Sequence, residues 1–208
     1  MARAGRFAKG AARREAILST ATEVLARDGY RGTSLRAIAR ALDLEPAHIL
    51  YYFDNREDLL QKVVERWDAE AIASIGGEPA PADTLDAYAE LIRRNLEIPG
   101  LVHLYLIFAA EAAQPDHLAH QFFRDRFERV RRWLSVAIAF EQGAGLIDRA
   151  IDADRAARML IAVADGVQLQ ALVDPGVDAP ADLAATIAQL RGRTRAELAG
   201  HESRATRH

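Results

Sequence analysis

The sequence contains no cysteine, and its apolar stretches are short. Without cysteine, disulfide bonds, thiolate zinc sites and cysteine nucleophiles are excluded. The longest nearly apolar run, LVHLYLIFAA at residues 101–110, is too short to cross a bilayer. The basic N-terminus is not followed by the apolar stretch that a secretory signal requires. We therefore expect a cytoplasmic protein that has no membrane partner.

The sequence also lacks the alternation of apolar and polar residues that is typical of β-strands. Ala, Leu, Arg and Glu dominate, while Val and Ile recur at helical spacing. Proline or glycine separates successive helical segments. The apolar periodicity predicts an all-α fold whose helices span approximately residues 11–27, 35–42, 46–52, 56–74, 84–97, 100–114, 117–142, 153–173 and 180–198.

Motifs for catalysis and metal binding are missing as well. The sequence has no nucleophile motif, no phosphate-binding loop and no His-Glu-x-x-His zinc spacing. The one conceivable acid–base pair is Glu111 with His103, which lie roughly 80° apart around one helix. We therefore expect no catalytic residue, no metal site and no cofactor. An α-helical enzyme acting on a ligand of the apolar body stays open as an alternative.

The charge is distributed unevenly along the 208 residues. The net charge is −3, but residues 1–56 carry ten Lys or Arg against six Asp or Glu, which gives this segment +4. The remainder of the chain carries −7. A basic head on an acidic body is expected when one end of a protein binds phosphate groups. The distribution therefore favours a nucleic-acid partner for the first quarter of the chain.

Residues 42–60, LDLEPAHILYYFDNREDLL, contain two adjacent tyrosines on a short predicted helix. Neighbours on a helix point about 100° apart, so Tyr51 and Tyr52 cannot both be buried. One arc of this helix holds His48, Tyr51 and Tyr52. The opposite arc, which we expect to pack on the two preceding helices, holds Ile49, Leu50 and Phe53.

Two short helices joined by a tight turn after a longer helix are typical of a helix-turn-helix. The second helix of such a pair enters the major groove with its N-terminal residues near the base edges. Here those residues are Glu45, Pro46, Ala47 and His48. We therefore predict binding to double-stranded DNA. From this segment alone, an ordinary surface or a stack against a neighbouring helix stays open.

Residues 14–60, REAILSTATEVLARDGYRGTSLRAIARALDLEPAHILYYFDNREDLL, closely resemble the DNA-binding head of tetracycline-repressor-type (TetR family) transcription regulators. The family string F-x-[SN]-[KR]-E-x-L appears as FDNREDL at residues 53–59. The resemblance implies a three-helix helix-turn-helix head in residues 1–56, which includes a basic N-terminal tail. A long fourth helix would join it to an α-helical effector-binding and dimerisation body in residues 57–200. Residues 201–208 are expected to form a disordered tail.

The resemblance also implies which residues contact DNA. Arg36 matches a position that reaches a guanine edge or a phosphate, Thr33 and Ser34 match a helix cap that touches the DNA backbone, and Arg56 matches a basic residue that binds phosphate. The complete set is Thr33, Ser34, Arg36, Ala47, His48, Tyr51, Tyr52 and Arg56.

This sequence departs from the family pattern at three positions. Asp43 replaces the usual turn glycine, although aspartate tolerates the left-handed conformation better than most residues. Leu50 stands where tyrosine is common, and Tyr52 stands where histidine is common. Glu45 would either cap the recognition helix or accept a hydrogen bond from cytosine. The basic tail either follows the minor groove or is solvated, and its residues are Arg3, Arg6, Lys9, Arg13 and Arg14.

The predicted body contains polar residues on helices that are otherwise apolar. His103 and Glu111 lie on a helix that we expect to be buried all round, and Asn95 lies on the helix before it. Buried polar groups need partners, which are either other protein groups or a small-molecule effector. The candidate pocket residues are Trp67, Asn95, His103, Phe108, Glu111, Phe127, Trp133 and Gln168.

The last two helices have narrow apolar stripes that include small residues. In the family, these two helices pair with their copies as a four-helix dimer interface, which such stripes would suit. The predicted interface residues are Met159, Val163, Val167, Leu183, Ile187 and Leu190. The resemblance thus implies a homodimeric repressor of a palindromic operator that a small-molecule effector releases. A DNA-binding activator without effector control stays open.

Overall fold

A computed structural model describes the backbone of residues 2–74, 77 and 79–192, and the side chains from residue 9 onward. Within these residues the chain forms α-helices and no β-strand, which confirms the predicted all-α class. The helices, α1 to α9, are Ala2–Gly32, Leu35–Ala41, Pro46–Ile49, Arg56–Ser74, Thr84–Asn95, Pro99–Glu111, His120–Gly143, Ala153–Val173 and Ala179–Leu190.

The first and last helices differ most from the prediction. Helix α1 begins at Ala2 rather than near residue 11, so the backbone of the predicted N-terminal tail is helical. The predicted break at Asp28-Gly29 is present, because Gly29 has a φ of 70° and helical turns resume beyond it to Gly32. Helix α9 ends at Leu190. The predicted end of the last helix at residue 198 and the predicted tail at 201–208 lie outside the described residues.

The chain divides into two units, Met1–Ala71 with Ile98–Gln121 and Ile72–Glu97 with Phe122–His208. The first unit contains α1, α2, α3, most of α4 and all of α6. It therefore extends beyond the predicted head, because α6 packs on α1. The second unit contains α5, most of α7, α8 and α9.

Helix α6 buries one face, whereas the sequence predicted burial all round. The buried face consists of Leu101, Val102, Leu104, Tyr105 and Phe108. The prediction that His103 and Glu111 are buried polar groups is wrong, since both are exposed. Because α6 packs against α1 through one face, its opposite face is accessible to solvent even though the sequence is apolar.

Close approach of α6 to α1 depends on a glycine at the first turn of α6. A Cβ atom on Gly100 would lie 2.3 Å from the carbonyl oxygen of Leu25, well inside van der Waals contact. Any larger residue at position 100 would force the two helices apart. Gly100 therefore sets the spacing within the first unit.

The second unit has its own aliphatic core, contributed by α5, α7, α8 and α9. It includes Leu85, Tyr88, Leu134, Ile138, Leu160, Ile161, Leu183 and Ile187. Helix α8 is long and apolar enough to span a membrane by length and composition. Its buried face, which carries Leu160, Ile161 and Ala164, nevertheless packs in this core, as expected for the central helix of a folded domain.

A buried ion pair joins three helices of the second unit. Glu141 of α7 is 1% exposed, and its two carboxylate oxygens accept hydrogen bonds from Arg191 at the end of α9, at 2.7 and 2.5 Å. Arg191 also donates to Asp86 of α5, at 2.8 and 3.2 Å. The hydrogen bond to Glu141 is the largest cause of the raised pKa of the Arg191 guanidinium. These bonds fix the end of α9 against α5 and α7.

We predict that Arg191→Met destabilises the protein by about 3 kcal/mol, because it leaves Glu141 buried without a cation. Arg93→Met is the matched control, since Arg93 pairs with Glu90 and Glu97 but is about half exposed. Exposed pairs contribute roughly 0–1 kcal/mol. Chemical denaturation of both variants measures the difference. Equal losses in the two variants would contradict the assigned role of Glu141.

Candidate nucleic-acid interface

Helices α2 and α3 are joined by a tight turn whose geometry follows from a few local contacts. Ser34 caps α2, because its Oγ accepts a hydrogen bond from the amide of Ala37 at 3.1 Å. In the turn, Asp43 has a φ of 53°, which confirms that this aspartate adopts the left-handed conformation. The Leu44 amide donates to the Ala39 carbonyl at 2.9 Å and closes the turn.

Helix α3 is one turn long and begins at Pro46. Glu45 precedes it, but its side chain makes no capping hydrogen bond. Ile49 and Phe53 are buried, as predicted. The prediction that Leu50 packs inward with them is wrong, since Leu50 is 47% exposed. Leu50 has helical dihedral angles, but it lies about 100° around the helix from the buried Ile49 and therefore falls outside the buried face.

The other arc of α3, which the turn at residues 50–52 continues, faces away from the protein. Ala47 and His48 are exposed, and Tyr51 is 83% exposed. Tyr52 is half-buried and meets Tyr51 edge to face, with ring centroids 5.0 Å apart. The ring of Tyr51 therefore points outward, and the half-buried ring of Tyr52 supports it. Arg36 is also exposed, on α2.

Thr33 differs from the other predicted DNA contacts because its side chain is fully buried. Its hydroxyl donates to the carbonyl of Gly29 at 2.8 Å. The expectation that Thr33 touches the DNA backbone is therefore not supported by the structure. Thr33 instead closes the end of α1, and the exposed cap of α2 is Ser34 alone.

Arg56, at the start of α4, contacts the end of α1 rather than projecting into solvent. Its Nε donates to the carbonyl of Thr33 at 2.7 Å, and its Nη2 donates to the carbonyl of Tyr30 at 2.9 Å. The guanidinium also lies over the Tyr30 ring, 4.8 Å from its centroid. The remaining terminal nitrogen is 3.7 Å from a carboxylate oxygen of Glu57. The sequence predicted that Arg56 contacts phosphate, and it did not reveal these partners inside the head.

Arg14 has a comparable internal position. Its guanidinium lies over the ring of Phe53, 4.9 Å from the centroid, so it belongs to the packing of the head rather than to a basic arm. Lys9 and Arg13 are exposed on α1. The side chains of Arg3 and Arg6 lie outside the described residues.

The predicted effector residues are divided between the two units. The first unit contains Trp67, His103, Phe108 and Glu111, and the second contains Asn95, Phe127, Trp133 and Gln168. In the first unit, His103 meets the Tyr30 ring, and Glu111 lies 3.7 Å from Nε2 of His117. Glu111 is thus paired with a histidine other than the predicted one.

Two buried polar atoms of the second unit lack hydrogen-bond partners among the described residues. Gln168 is 1% exposed and donates from Nε2 to the carbonyl of Ala164 at 3.0 Å, while its Oε1 is unpaired. The indole Nε1 of Trp133 is buried and unpaired as well. Such groups are uncommon in folded proteins and call for an additional partner.

The predicted dimer residues do not all lie on the surface. Leu183 and Ile187 belong to the core of the second unit, so their assignment to an interface is wrong for this structure. Val163 and Leu190 pack partly against that core and Val167 is half-buried, whereas Met159 is exposed. Two exposed apolar residues of α8 were missed, namely Leu169 and Val173. A helical stripe identifies residues that share a face, but not which face the core covers.

Comparison with known proteins supports a regulatory role. The curated nicotine-responsive transcriptional repressor HdnoR of Paenarthrobacter nicotinovorans is 28% identical over 172 residues, which cover 78% of this chain and 85% of that protein. A solved structure described as a transcriptional regulator from Saccharomonospora viridis, in complex with choline, is 25% identical with a TM-score of 0.68 and covers 85% of this chain and 94% of the other.

The fold is also shared with more distant regulators. The FadR regulator of Bacillus subtilis in complex with stearoyl-CoA is 20% identical with a TM-score of 0.62, covering 87% of this chain and 99% of the other. At that identity the likeness shows the fold alone. These relatives are transcriptional regulators and not enzymes.

Two family profiles match the chain directly. Residues 17–63 match the bacterial regulatory proteins of the tetR family, and residues 81–194 match the C-terminal region of BetI-type transcriptional repressors. The second match alone spans more than half of the chain. The protein therefore belongs to the TetR family of helix-turn-helix transcriptional regulators.

Proposed function

We propose that this regulator is a cytoplasmic homodimeric repressor, which binds a palindromic operator and is released by a small molecule bound in its C-terminal helical domain. The observation that carries this proposal is the outward arc of α3, where Tyr51 is almost fully exposed beside the exposed His48. An exposed tyrosine offers a partner both an apolar ring and a hydroxyl group.

The chemistry of this arc suits DNA. Tyrosine and histidine side chains donate hydrogen bonds to phosphate oxygens or base edges, and a tyrosine ring can contact a thymine methyl group. Ser34 and Arg36 are exposed on the neighbouring helix, where they would contact the sugar–phosphate backbone or a guanine edge. The net charge of +4 on residues 1–56 adds a favourable potential.

A two-fold operator requires two copies of the head, and α8 offers a surface for pairing. Met159, Gly166 and Val173 are spaced seven residues apart and therefore share a face. Met159 and Val173 are exposed, as is Leu169. Exposed apolar side chains along one face indicate a protein–protein interface, and the glycine permits close helix approach. Pairing through this face would form the dimer.

The effector site that we propose lies in the second unit. The unpaired Nε1 of Trp133 donates a hydrogen bond, and the unpaired Oε1 of Gln168 accepts one. An acceptor on a small molecule would satisfy Trp133, and a donor would satisfy Gln168. One named relative responds to nicotine and another binds choline, which supports a small-molecule effector for this chain. If the effector weakens DNA binding, DNA weakens effector binding by the same factor.

We predict that His48→Ala combined with Tyr51→Ala lowers affinity for the selected operator by about 100-fold, since each base contact contributes roughly 1–3 kcal/mol. The thermal midpoint should stay unchanged because both side chains are exposed. Fluorescence anisotropy measures binding to a duplex that the wild-type protein has enriched from genomic fragments. Leu118→Ala, at an exposed apolar residue outside the helix-turn-helix, is the control. Wild-type affinity in the double variant would refute the proposed interface.

We predict that Leu169→Asp converts the dimer to a monomer and abolishes tight operator binding, because it places a charge in the apolar interface. Val136→Asp is the matched control, since Val136 of α7 and Leu169 are both 52% exposed. Light scattering coupled to size-exclusion chromatography gives the mass of each variant. A Leu169→Asp protein that stays dimeric would show that the copies do not pair through this face of α8.

A further inference from the structure

Arg56 joins the two ends of the helix-turn-helix. It lies 23 and 26 residues after Thr33 and Tyr30, whose carbonyl oxygens accept hydrogen bonds from its Nε and Nη2. Thr33 immediately precedes Ser34, the cap of α2. A single side chain at the start of α4 therefore holds the backbone from which α2 begins.

The surroundings of Arg56 keep it in this position. The Tyr30 ring lies beneath the guanidinium and makes T-shaped contacts with Phe108 and His103 of α6, with centroid distances of 6.4 and 6.1 Å. The ring is thus held from three sides and cannot turn away without disturbing α6.

The start of α4 is fixed as well. Asn55 accepts a hydrogen bond from the amide of Asp58 at 2.8 Å, while Asp58 accepts one from the amide of Asp54 at 3.1 Å. These two bonds define where α4 begins. They place the backbone of Arg56 so that its side chain reaches the end of α1.

We infer that Arg56 is a positioning residue for DNA binding, which orients α2 and α3 by fixing the α1–α2 turn to α4, and that Tyr30 is its support. The inference rests on the proposed DNA-binding function. It assigns the role of Arg56 to the fork of its guanidinium rather than to its charge. The planar fork donates from two nitrogens in fixed directions while it stacks on a ring, a geometry that the compact ammonium of a lysine does not reproduce.

The two possible roles of Arg56 predict opposite results for Arg56→Lys. If Arg56 positions the turn, Arg56→Lys and Arg56→Gln both weaken operator binding about tenfold or more, because both lose the charged hydrogen bonds to the carbonyls. If Arg56 contacts phosphate, Arg56→Lys binds like wild type. In that case Arg56→Gln alone loses affinity, and its salt slope falls by about one unit. Anisotropy titrations over a range of salt, on the duplex enriched by wild type, separate the two outcomes.

A second readout requires no DNA. The Ala37 amide donates to Ser34 at the cap of α2, so its hydrogen exchange, followed by NMR, reports whether the start of α2 is held. We expect faster exchange in Arg56→Lys and Arg56→Gln, and wild-type exchange in Arg36→Gln, which loses affinity through a direct contact. Unchanged Ala37 exchange in Arg56→Lys, with wild-type DNA binding, would overturn the inference.

The support from Tyr30 is tested by a conservative pair of variants that leave Arg56 itself intact. Tyr30→Phe keeps the ring face and should bind DNA like wild type, whereas Tyr30→Leu removes the face and should bind several-fold more weakly with faster Ala37 exchange. Equal binding by the two variants would overturn the supporting role of Tyr30.

If wild-type protein enriches no DNA at all, the proposed function fails, and the exchange measurements still decide whether Arg56 holds the turn.

Discussion

The hydrogen bonds from Arg56 to the carbonyls of Tyr30 and Thr33 are the constraint on which the head depends. Helix α1 is interrupted at Gly29, and its last turn leaves carbonyl groups that need donors. Arg56 supplies them from the opposite end of the helix-turn-helix. Because α2 starts directly after this turn, the direction of α2, and through Asp43 that of α3, follows from the same contacts. These contacts therefore support the exposed arc of α3.

Each unit combines apolar packing with the hydrogen bonds of one arginine, which fix the ends of its helices. In the first unit, Gly100 lets α6 approach α1, and the Tyr30 ring lies between α6 and Arg56. In the second, Arg191 joins the end of α9 to Glu141 and Asp86. Apolar burial alone tolerates sliding between helices, whereas a directional charged bond specifies one register. The surfaces that we propose for DNA and for the second copy are built on these frames.

The sequence was sufficient to predict the helical class, most helix boundaries and the outward Tyr51, because these depend on local periodicity. The sequence did not reveal which partner covers each helix face. Periodicity grouped Leu183 and Ile187 correctly on one stripe, but the core rather than a second copy covers them. His103 and Glu111 lie in an apolar segment yet face outward. The partners of Arg14 and Arg56 are distant in sequence. The sequence therefore showed that both residues are basic, but it did not show which groups they contact.

The central claim is that two copies of the exposed α3 arc bind DNA together, and hydroxyl-radical footprinting tests it most directly. Wild-type protein would be footprinted on the genomic fragment that it enriches most strongly. We expect two protected segments related by two-fold symmetry, with centres about one helical turn, or a small multiple of it, apart. A single uninterrupted footprint without symmetry, or protection that does not depend on sequence, would contradict it.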